Sequence, residues 1–255
     1  MVRKRNIFKE TGVHLIMKKH IWTSKQTSSA KVPNYGKLYV MKPAILKLIG
    51  DVKGKKVLEL GCGNGFWLKL LDSKGAKCIG VDKSKNQIDL ATRESKGNNP
   101  RYYTGDISNL KMFSNNSFDR ILIEHVILEI PNINKIRKIL REAYRVAKWG
   151  GKIVISDLHP FAPSLSFPNL KPEKDYYYFN SGSLVQIISK RVDGKETFYT
   201  DYHWTLEDIS NAITDSGFKI TKVLEPRPSE ETIRKYPYLK YRRKDPLALI
   251  IEAQK

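Results

Sequence analysis

The chain has 255 residues, of which 46 are Lys or Arg and 26 are Asp or Glu, so its formal net charge is +20. This length suits a single α/β domain with a substantial buried core. The two cysteines, Cys62 and Cys78, lack a Cys-x-x-Cys spacing, which excludes a disulfide scaffold and indicates reduced thiols with no metal site. No apolar run approaches the length of a transmembrane helix.

The positive charge leaves several interpretations open. It is distributed along the chain, which suits a compositional bias, but it would also suit an anionic substrate or a nucleic acid. The basic N-terminus is followed by an apolar stretch at residues 12–17 that is too short for a signal peptide, so we expect a cytoplasmic protein. Residues 1–20 are predicted to be a basic, disordered extension, and residues 21–255 a single domain.

The first clear element is a short apolar strand over residues 56–60, of a kind that is buried on both faces. Gly61, Gly63 and Gly65 follow it at alternate positions, and a helix is predicted over about residues 65–74. Glycines at such a turn let a ligand lie directly against the backbone. A strand, a glycine-rich turn and a helix N-terminus together are typical of a nucleotide or nucleoside site.

Strands and helices then alternate along the chain, which predicts a mostly parallel sheet. The predicted strands lie at residues 78–82, at Tyr102 and Tyr103, at 118–124 and at 153–157. Ser84 is predicted to cap a helix that runs to about residue 96. A second helix begins at Pro131-Asn132, carries a regular apolar stripe and is expected to end at Gly150-Gly151.

The alternation stops after the fifth strand. Residues 184–191 and 197–202 flank an Asp-Gly turn and predict an antiparallel hairpin. An insertion of this length is usually functional, and we predict that residues 160–204 form a lid. Thr205 and Asp208 then form a capping box for a helix that ends at Gly217, and two further strands are predicted at 218–224 and 247–252.

Glu59 distinguishes this glycine turn from the glycine-rich fingerprint of dinucleotide-binding proteins. An apolar residue usually stands at that position, and the third glycine here comes one residue early. A carboxylate in the pocket disfavours a pyrophosphate and favours a cation. The segment 57–65 resembles motif I of class I methyltransferases that use S-adenosylmethionine (SAM), which carries a sulfonium and an ammonium. A nicotinamide-dependent oxidoreductase is the competing interpretation.

The resemblance covers residues 40–160 most clearly and residues 204–255 to a lesser degree. It is closest to the small-molecule branch that includes the ubiquinone and menaquinone C-methyltransferases. It implies an α/β, Rossmann-like fold: a seven-stranded, mostly parallel sheet in the order 3-2-1-4-5-7-6, with helices on both faces and the hairpin lid as an insertion. It also implies an N-terminal helical cap at residues 21–50.

The resemblance implies where SAM binds. Glu59 would face the methionine ammonium, Asp82 the ribose hydroxyls and Asp106 the adenine amino group, each from the carboxyl end of a strand. Asp82 and Asp106 could instead simply cap helices. The full predicted cofactor-binding set is Glu59, Gly61, Cys62, Gly63, Asp82, Lys83, Asp106, Ile107, Glu124, Tyr35 and Tyr39.

Three histidines are candidate bases or substrate contacts. His125 follows the fourth strand, His159 follows the fifth, and His203 precedes the Thr205 cap. A histidine with a pKa near neutrality can accept a proton from a phenol, acid or amine. Each of the three could instead only pack, His125 against the cofactor and the other two within the lid.

Aromatic residues suggest two further contacts. Trp22, Tyr35 and Tyr39 precede the core, and an aromatic ring there could cover the sulfonium by a cation–π contact. Ordinary helix packing is the alternative. The run from Tyr176 to Phe179 could line a pocket for an aromatic substrate or form the lid's own core.

We therefore predict a SAM-dependent methyltransferase that acts on O, N or C of a small molecule, possibly anionic or aromatic, as a monomer or homodimer. The residues after the fourth strand lack the Asn/Asp-Pro-Pro-Tyr motif of enzymes that methylate base amines, and neither cysteine lies where cytosine C5 methylation needs one. The alternatives are an RNA or protein methyltransferase that uses the basic residues at 240–244 and a non-catalytic SAM-binding protein.

Overall fold

A computed structural model describes residues 36–95, 97, 99–162, 176–190 and 196–255, with only the backbone described for residues 186–190 and 196–199. The predicted N-terminal extension, Trp22 and Tyr35 lie outside these ranges, as do residues 163–175 and 191–195 of the predicted lid. The division into extension, cap and lid stays a prediction. Within the described ranges, every helix is too short or too polar to cross a bilayer.

In the described part of the chain, nine strands form a seven-stranded sheet and a separate two-stranded hairpin. They are β1 (Lys56–Leu60), β2 (Lys77–Asp82), β3 (Arg101–Thr104), β4 (Phe118–Glu124), β5 (Ala147–Leu158), β6 (Leu184–Lys190), β7 (Glu196–Tyr202), β8 (Lys219–Leu224) and β9 (Ala248–Gln254). The large sheet has the order β3-β2-β1-β4-β5-β9-β8. The prediction numbered only the strands of this sheet, so its strands 6 and 7 correspond to β8 and β9. The predicted strand order is therefore confirmed.

The first five strands of the sheet are parallel, and β9 runs antiparallel to both of its neighbours. The chain order reverses between β1 and β4, so the carboxyl ends of these strands border the crevice where ligands bind in open α/β sheets. The hairpin of β6 and β7 forms its own antiparallel sheet, as predicted.

The described residues form six α-helices, of which the first five pack on the two faces of the sheet. They are α1 (Lys42–Ile49), which follows a π-helical turn at Lys37–Met41, α2 (Phe66–Asp72), α3 (Lys85–Glu94), α4 (Ile133–Val146), α5 (Leu206–Asp215) and α6 (Glu230–Lys235). One apolar cluster joins the sheet to α4 and α5, and a second joins it to α1, α2 and α3. The strands buried between these clusters explain the continuous apolar runs in the sequence.

The local signals at the helix ends are mostly confirmed. Ser84 caps α3 by accepting a hydrogen bond from the backbone N–H of Gln87, and Thr205 and Asp208 form a capping box on α5. The predicted end of α4 at Gly150-Gly151 is wrong. The helix ends at Val146, because Ala147 already pairs with Phe118 in the sheet and begins a longer β5.

The segment between β8 and β9 contains structure that the sequence analysis did not predict. It holds α6 and a 3-10 helix at Pro237–Arg243. The Tyr236 ring lies 4.7 Å from the ring of Tyr39, and the guanidinium of Arg242 packs against Gly36. The basic segment at residues 240–244 therefore packs partly against the helical N-terminal region.

Candidate active site

The glycine turn after β1 combines one tightly packed glycine with one open glycine. Gly61 and Gly63 both have positive φ, at 77° and 50°. A Cβ added at Gly61 would lie 2.4 Å from Cγ2 of Val126, whereas one added at Gly63 would meet no described atom within 4 Å. Only glycine fits the first position, and the open side of the second leaves the backbone accessible to a ligand.

Asp82, at the end of β2, is held against this turn. Its Oδ2 accepts a hydrogen bond from the Gly63 N–H and its Oδ1 accepts one from the Ser84 N–H, each at 2.8 Å. A carboxylate offers about four acceptor positions, so two remain for a further donor. The backbone thus fixes the orientation of Asp82 and still leaves it able to accept from a vicinal diol.

Two buried glutamates lie at the carboxyl ends of β1 and β4. Glu59 is 2% exposed and Glu124 is 8% exposed. Among the described residues, Oε2 of Glu59 and Oε1 of Glu124 have no hydrogen-bond partner. Burial and the neighbouring Glu124 raise the pKa of Glu59 well above its usual range. Such acids favour a cationic ligand, since burial of an unpaired carboxylate is costly.

Lys37, which the sequence analysis missed, ends next to these acids. Its Nζ lies 2.8 Å from Oε2 of Glu124 and 5.1 Å from the centre of the Phe66 ring. Burial opposes ionisation of Glu124, but His125 and Lys37 outweigh it and lower the Glu124 pKa. No local pattern marks Lys37, because its partner is 87 residues away in the sequence.

Asp106 follows β3, the strand next to β2, and its side chain is half-exposed. It accepts from the Ser108 N–H and pairs with Lys135 at 3.1 Å. Burial would raise its pKa, but these hydrogen bonds outweigh that effect and lower it. Ile107 packs against the apolar cluster beneath α4, and Lys83 lies 3.5 Å from Glu129.

The side chain of Cys62 points into the protein. A Cβ added at Gly80 would lie 2.6 Å from its Sγ, and burial raises the pKa of the thiol. Cys62 could therefore meet a cofactor only through its backbone. Tyr39 packs on Tyr236 and lies beneath Lys235, whose Nζ is 5.7 Å from the ring centre.

His125 lies between two carboxylates. Its Nε2 is 3.4 Å from Oε1 of Glu124, and its Nδ1 is 3.6 Å from Oδ1 of Asp157. Burial would lower the His125 pKa, but these two carboxylates outweigh it and raise the pKa. The side chain is 39% exposed and sits on a residue with φ of 54°. His125 is thus accessible, and the neighbouring carboxylates stabilise its protonated form.

The other two predicted histidines are held by hydrogen bonds at both ring nitrogens. Nε2 of His159 lies 3.1 Å from Oε1 of Glu225, and its Nδ1 accepts from the Phe161 N–H. Nε2 of His203 lies 2.6 Å from the Tyr178 carbonyl, and its Nδ1 lies 3.2 Å from the Tyr176 hydroxyl. Burial lowers the pKa of both, which suits neutral rings that hold the segments around Phe161 and Tyr178 in place.

Two further acids, Asp157 and Asp201, belong to the site although the sequence analysis gave them no role. Asp157 is 6% exposed at the end of β5, and Asp201 lies on β7 of the hairpin. Both line a cavity under the hairpin, together with His159 and His203. The strand-end position of Asp157 was a usable signal, whereas the position of Asp201 depends on how the hairpin packs.

Comparison with known proteins now decides the class. Residues 58–155, which contain the glycine turn, Asp82 and His125, match the family model described as a methyltransferase domain. Residues 58–155 therefore form a methyltransferase domain. The enzyme's similarity to known relatives extends beyond that domain.

The chain is 27% identical over 205 residues to demethylmenaquinone methyltransferase of Oceanobacillus iheyensis, covering 78% of this chain and 79% of the relative. It is 33% identical to the Lactococcus lactis protein of the same name, covering 50% of this chain and 54% of that relative. The crystal structure of a SAM-dependent methyltransferase from Mesorhizobium loti has the same fold, with a TM-score of 0.68 and 22% identity, over 84% of this chain and 96% of that one.

The residues around the glycine turn fit the cofactor SAM. Glu59 and Glu124 supply buried carboxylate oxygens without hydrogen-bond partners among the described residues, which suit a molecule that carries an ammonium and a sulfonium. The open face of Gly63 and the fixed carboxylate of Asp82 suit the close approach of a nucleoside.

Proposed function

We propose that this enzyme transfers the methyl group of SAM to a small-molecule acceptor and releases S-adenosylhomocysteine. The observation that carries the proposal is the position of His125, which lies between Glu124, a buried acid beside the glycine turn, and Asp157, which lines the cavity under the hairpin. A cofactor on one side and an acceptor on the other would meet at this residue.

The predicted cofactor residues would bind SAM through their charges and backbone. Glu59 and Glu124 would face its cationic methionine part, Asp82 would accept from the ribose hydroxyls, and Asp106 with Ile107 would hold the adenine. SAM, when bound, supplies an electrophilic methyl carbon. In the structure, Lys83 lies near Glu129 and Tyr39 packs on Tyr236. Both side chains would therefore contact SAM only at the edge of this site.

His125 would serve as the base for the acceptor. Its imidazole would accept the proton that the acceptor loses, and the adjacent carboxylates would stabilise the imidazolium. His159 and His203 would shape the acceptor pocket, because their ring nitrogens are already engaged. We further propose that residues 160–204 act as a lid that keeps water from the reacting groups.

Two facts support a small acceptor. Residues of the hairpin and of the carboxyl end of β5 together line one small cavity. The similar proteins from Oceanobacillus iheyensis and Lactococcus lactis are named for a quinone-type molecule, demethylmenaquinone. An acceptor with an aromatic or quinone-like ring fits both the names and the aromatic side chains of the lid.

The contacts of the basic segment at residues 240–244 weaken the case for an RNA or protein methyltransferase. Arg243 pairs with Glu230, and Arg242 packs against Gly36 and Tyr241. These contacts give two of its cations an intramolecular role.

The test is the transfer of labelled methyl groups from SAM into a cell extract that is then separated by size and by nuclease and protease sensitivity. We expect label in the small, nuclease-resistant fraction, and much less of it when the protein carries Asp82→Ala. Label in RNA or protein would replace the proposal with the polyanion alternative. SAM binding by calorimetry without transfer to any fraction would leave a non-catalytic SAM-binding protein.

A further inference from the structure

The cavity under the hairpin has an acidic lining. Two carboxylates, Asp157 and Asp201, line it, and the described residues of its wall include no Lys or Arg. Its remaining polar side chains include His159, His203 and Tyr202, and its apolar wall includes Ile127. This local acidity contrasts with the net charge of +20 for the whole chain.

Asp157 has one oxygen engaged by the protein and one available. Its Oδ2 accepts a hydrogen bond from the Ile127 N–H at 3.0 Å. Its Oδ1 has no hydrogen-bond partner among the described residues and lies 3.6 Å from Nδ1 of His125. An acid that is 6% exposed with an unsatisfied oxygen is costly unless a donor reaches that oxygen in the working state.

Asp201 approaches the same region from the hairpin. Burial, together with the charge of Asp157, raises the pKa of Asp201 to about 7, with Glu129 adding to the effect and His125 opposing it. Two carboxylates that line one cavity repel each other unless a proton or a bound donor lies between them. The two aspartates therefore form a place for a hydrogen-bond donor rather than for an anion.

We infer that Asp157 and Asp201 bind the acceptor, and that the acceptor presents an uncharged or cationic hydrogen-bond donor, a hydroxyl or an amine, instead of an anionic group. This inference rests on the proposed function and specifies the acceptor class for that site. A carboxylate or phosphate on the acceptor would meet two acids and no Lys or Arg among the described residues of the wall. A hydroxyl or ammonium would give Oδ1 of Asp157 the hydrogen bond that it lacks among the described residues and would lie next to His125.

The first test compares binding-site variants in the transfer assay, with the small-molecule fraction of the extract as acceptor. Asp157→Ala and Asp201→Ala are expected to raise the KM for that fraction at least tenfold. The matched control is Glu207→Gln, an exposed acid on α5. The dissociation constant for SAM, measured by calorimetry, is expected to stay within about twofold for all three, which also shows that the variants fold.

Asp201→Asn refines the result, because it keeps an acceptor oxygen and removes the charge. A loss as large as that of Asp201→Ala indicates a cationic donor, and a smaller loss indicates an uncharged hydroxyl or amine; both agree with the inference. Unchanged KM values in both alanine variants would overturn it.

The second test measures the charge of the acceptor directly. The small-molecule fraction is passed over an anion exchanger at neutral pH, and the eluates are tested for acceptance of labelled methyl groups. We expect the acceptor in the flow-through. An acceptor found only among the retained anions would overturn the inference while leaving the proposed methyl transfer intact. Absence of transfer to every eluate, with SAM still bound, would overturn both.

Discussion

The ammonium nitrogen of Lys37 lies 2.8 Å from Oε2 of Glu124, although the two residues are 87 positions apart in the sequence. Glu124 is buried and Lys37 is only partly exposed, so the pair is poorly screened by water. This contact joins the helical N-terminal region to the end of β4 and places a protein cation beside the acids that are proposed to attract SAM.

Replacement of Lys37 by Met should increase the preference of the enzyme for SAM over S-adenosylhomocysteine. The variant leaves Glu59 and Glu124 with less compensating charge, and only SAM carries the sulfonium. We expect the ratio of the two dissociation constants, measured by calorimetry, to change by roughly three- to tenfold. Lys42→Met, on the outer part of the same helical region, is the control. An unchanged ratio would show that Lys37 is remote from the cofactor.

Replacement of Asp82 by Ala should weaken SAM binding by roughly 10- to 100-fold, which corresponds to the loss of charge-assisted hydrogen bonds to the ribose. Asp89→Ala, an exposed acid on α3 that pairs with Lys85, should leave the affinity unchanged. Calorimetric titration with SAM checks both. Wild-type affinity in Asp82→Ala would mean that Asp82 only orders the backbone of Gly63 and Ser84.

Alanine at the two neighbouring glycines should separate stability from binding. Gly61→Ala places a Cβ against Val126 in a left-handed conformation, so a thermal melt should show a large loss of stability. Gly63→Ala meets no described atom and should cost only about 1–2 kcal/mol for its positive φ. It should nevertheless weaken SAM binding, because its methyl group would occupy the open face. Equal stability losses with equal SAM affinities would contradict this assignment.

The pH dependence of kcat/KM should report His125. A base must be unprotonated, so the rate should rise with pH through a midpoint above the ordinary histidine value of about 6.5, because Glu124 and Asp157 outweigh burial and raise the His125 pKa. His125→Asn should lower the rate by roughly 100-fold or more and remove this limb. Asp157→Asn should move the midpoint to lower pH. A midpoint that stays in place in Asp157→Asn would separate the limb from His125.

The stability of the enzyme should respond to Asp201 in a defined pH window. An unfolded aspartate has a pKa of about 3.9, whereas burial and Asp157 raise that of Asp201 to about 7 in the folded state. The folded state therefore binds more protons between these values, and stability falls as pH rises across them. Asp201→Asn should leave Tm unchanged near pH 4 and increase it on the order of 5 °C at pH 8.

Replacement of Asp119 should change Tm at pH 8 in the opposite direction and serves as the control. Burial would raise its pKa, but hydrogen bonds from Lys148 and the Lys56 N–H outweigh that effect and lower it. Its contribution is present above the unfolded pKa and is lost as pH falls through the folded one, so Asp119→Asn should lower Tm at pH 8 and have little effect at very low pH. The same sign for both variants at pH 8 would contradict the assignment.

Local sequence patterns predicted most of the fold because each depends on near neighbours. The apolar run at β1, the capping box at Thr205 and the stripe along α4 all act within one strand or a few helical turns. The wrong end of α4 has a tertiary cause, since the pairing of Ala147 with Phe118 overrides the glycine signal three residues later. The helix α6 has a local signal that the sequence analysis did not use, since Ser229 caps it, acids occupy its first turn and cations its last.

The cofactor side of the site was accessible to sequence analysis for a similar reason. In a parallel sheet, residues that end neighbouring strands meet at one edge, so the positions of Glu59, Asp82 and Glu124 followed once the strands were placed. The hydrogen-bond and ion-pair partners of these three acids could not be predicted in this way. The pattern gave no reason to prefer His125 over His159 or His203, because all three lie near strand ends or the lid.

The sequence by itself determined the sheet, the glycine turn and the acids at its edge, since strand periodicity and glycine spacing are local properties. Only the tertiary structure decided which groups surround the candidate site. Lys37 reaches Glu124 from the N-terminal region, and Asp201 of the hairpin lines the same cavity as Asp157. Charges interact through space rather than along the chain, so the protonation of His125 and the acidity of the cavity depend on contacts between distant segments.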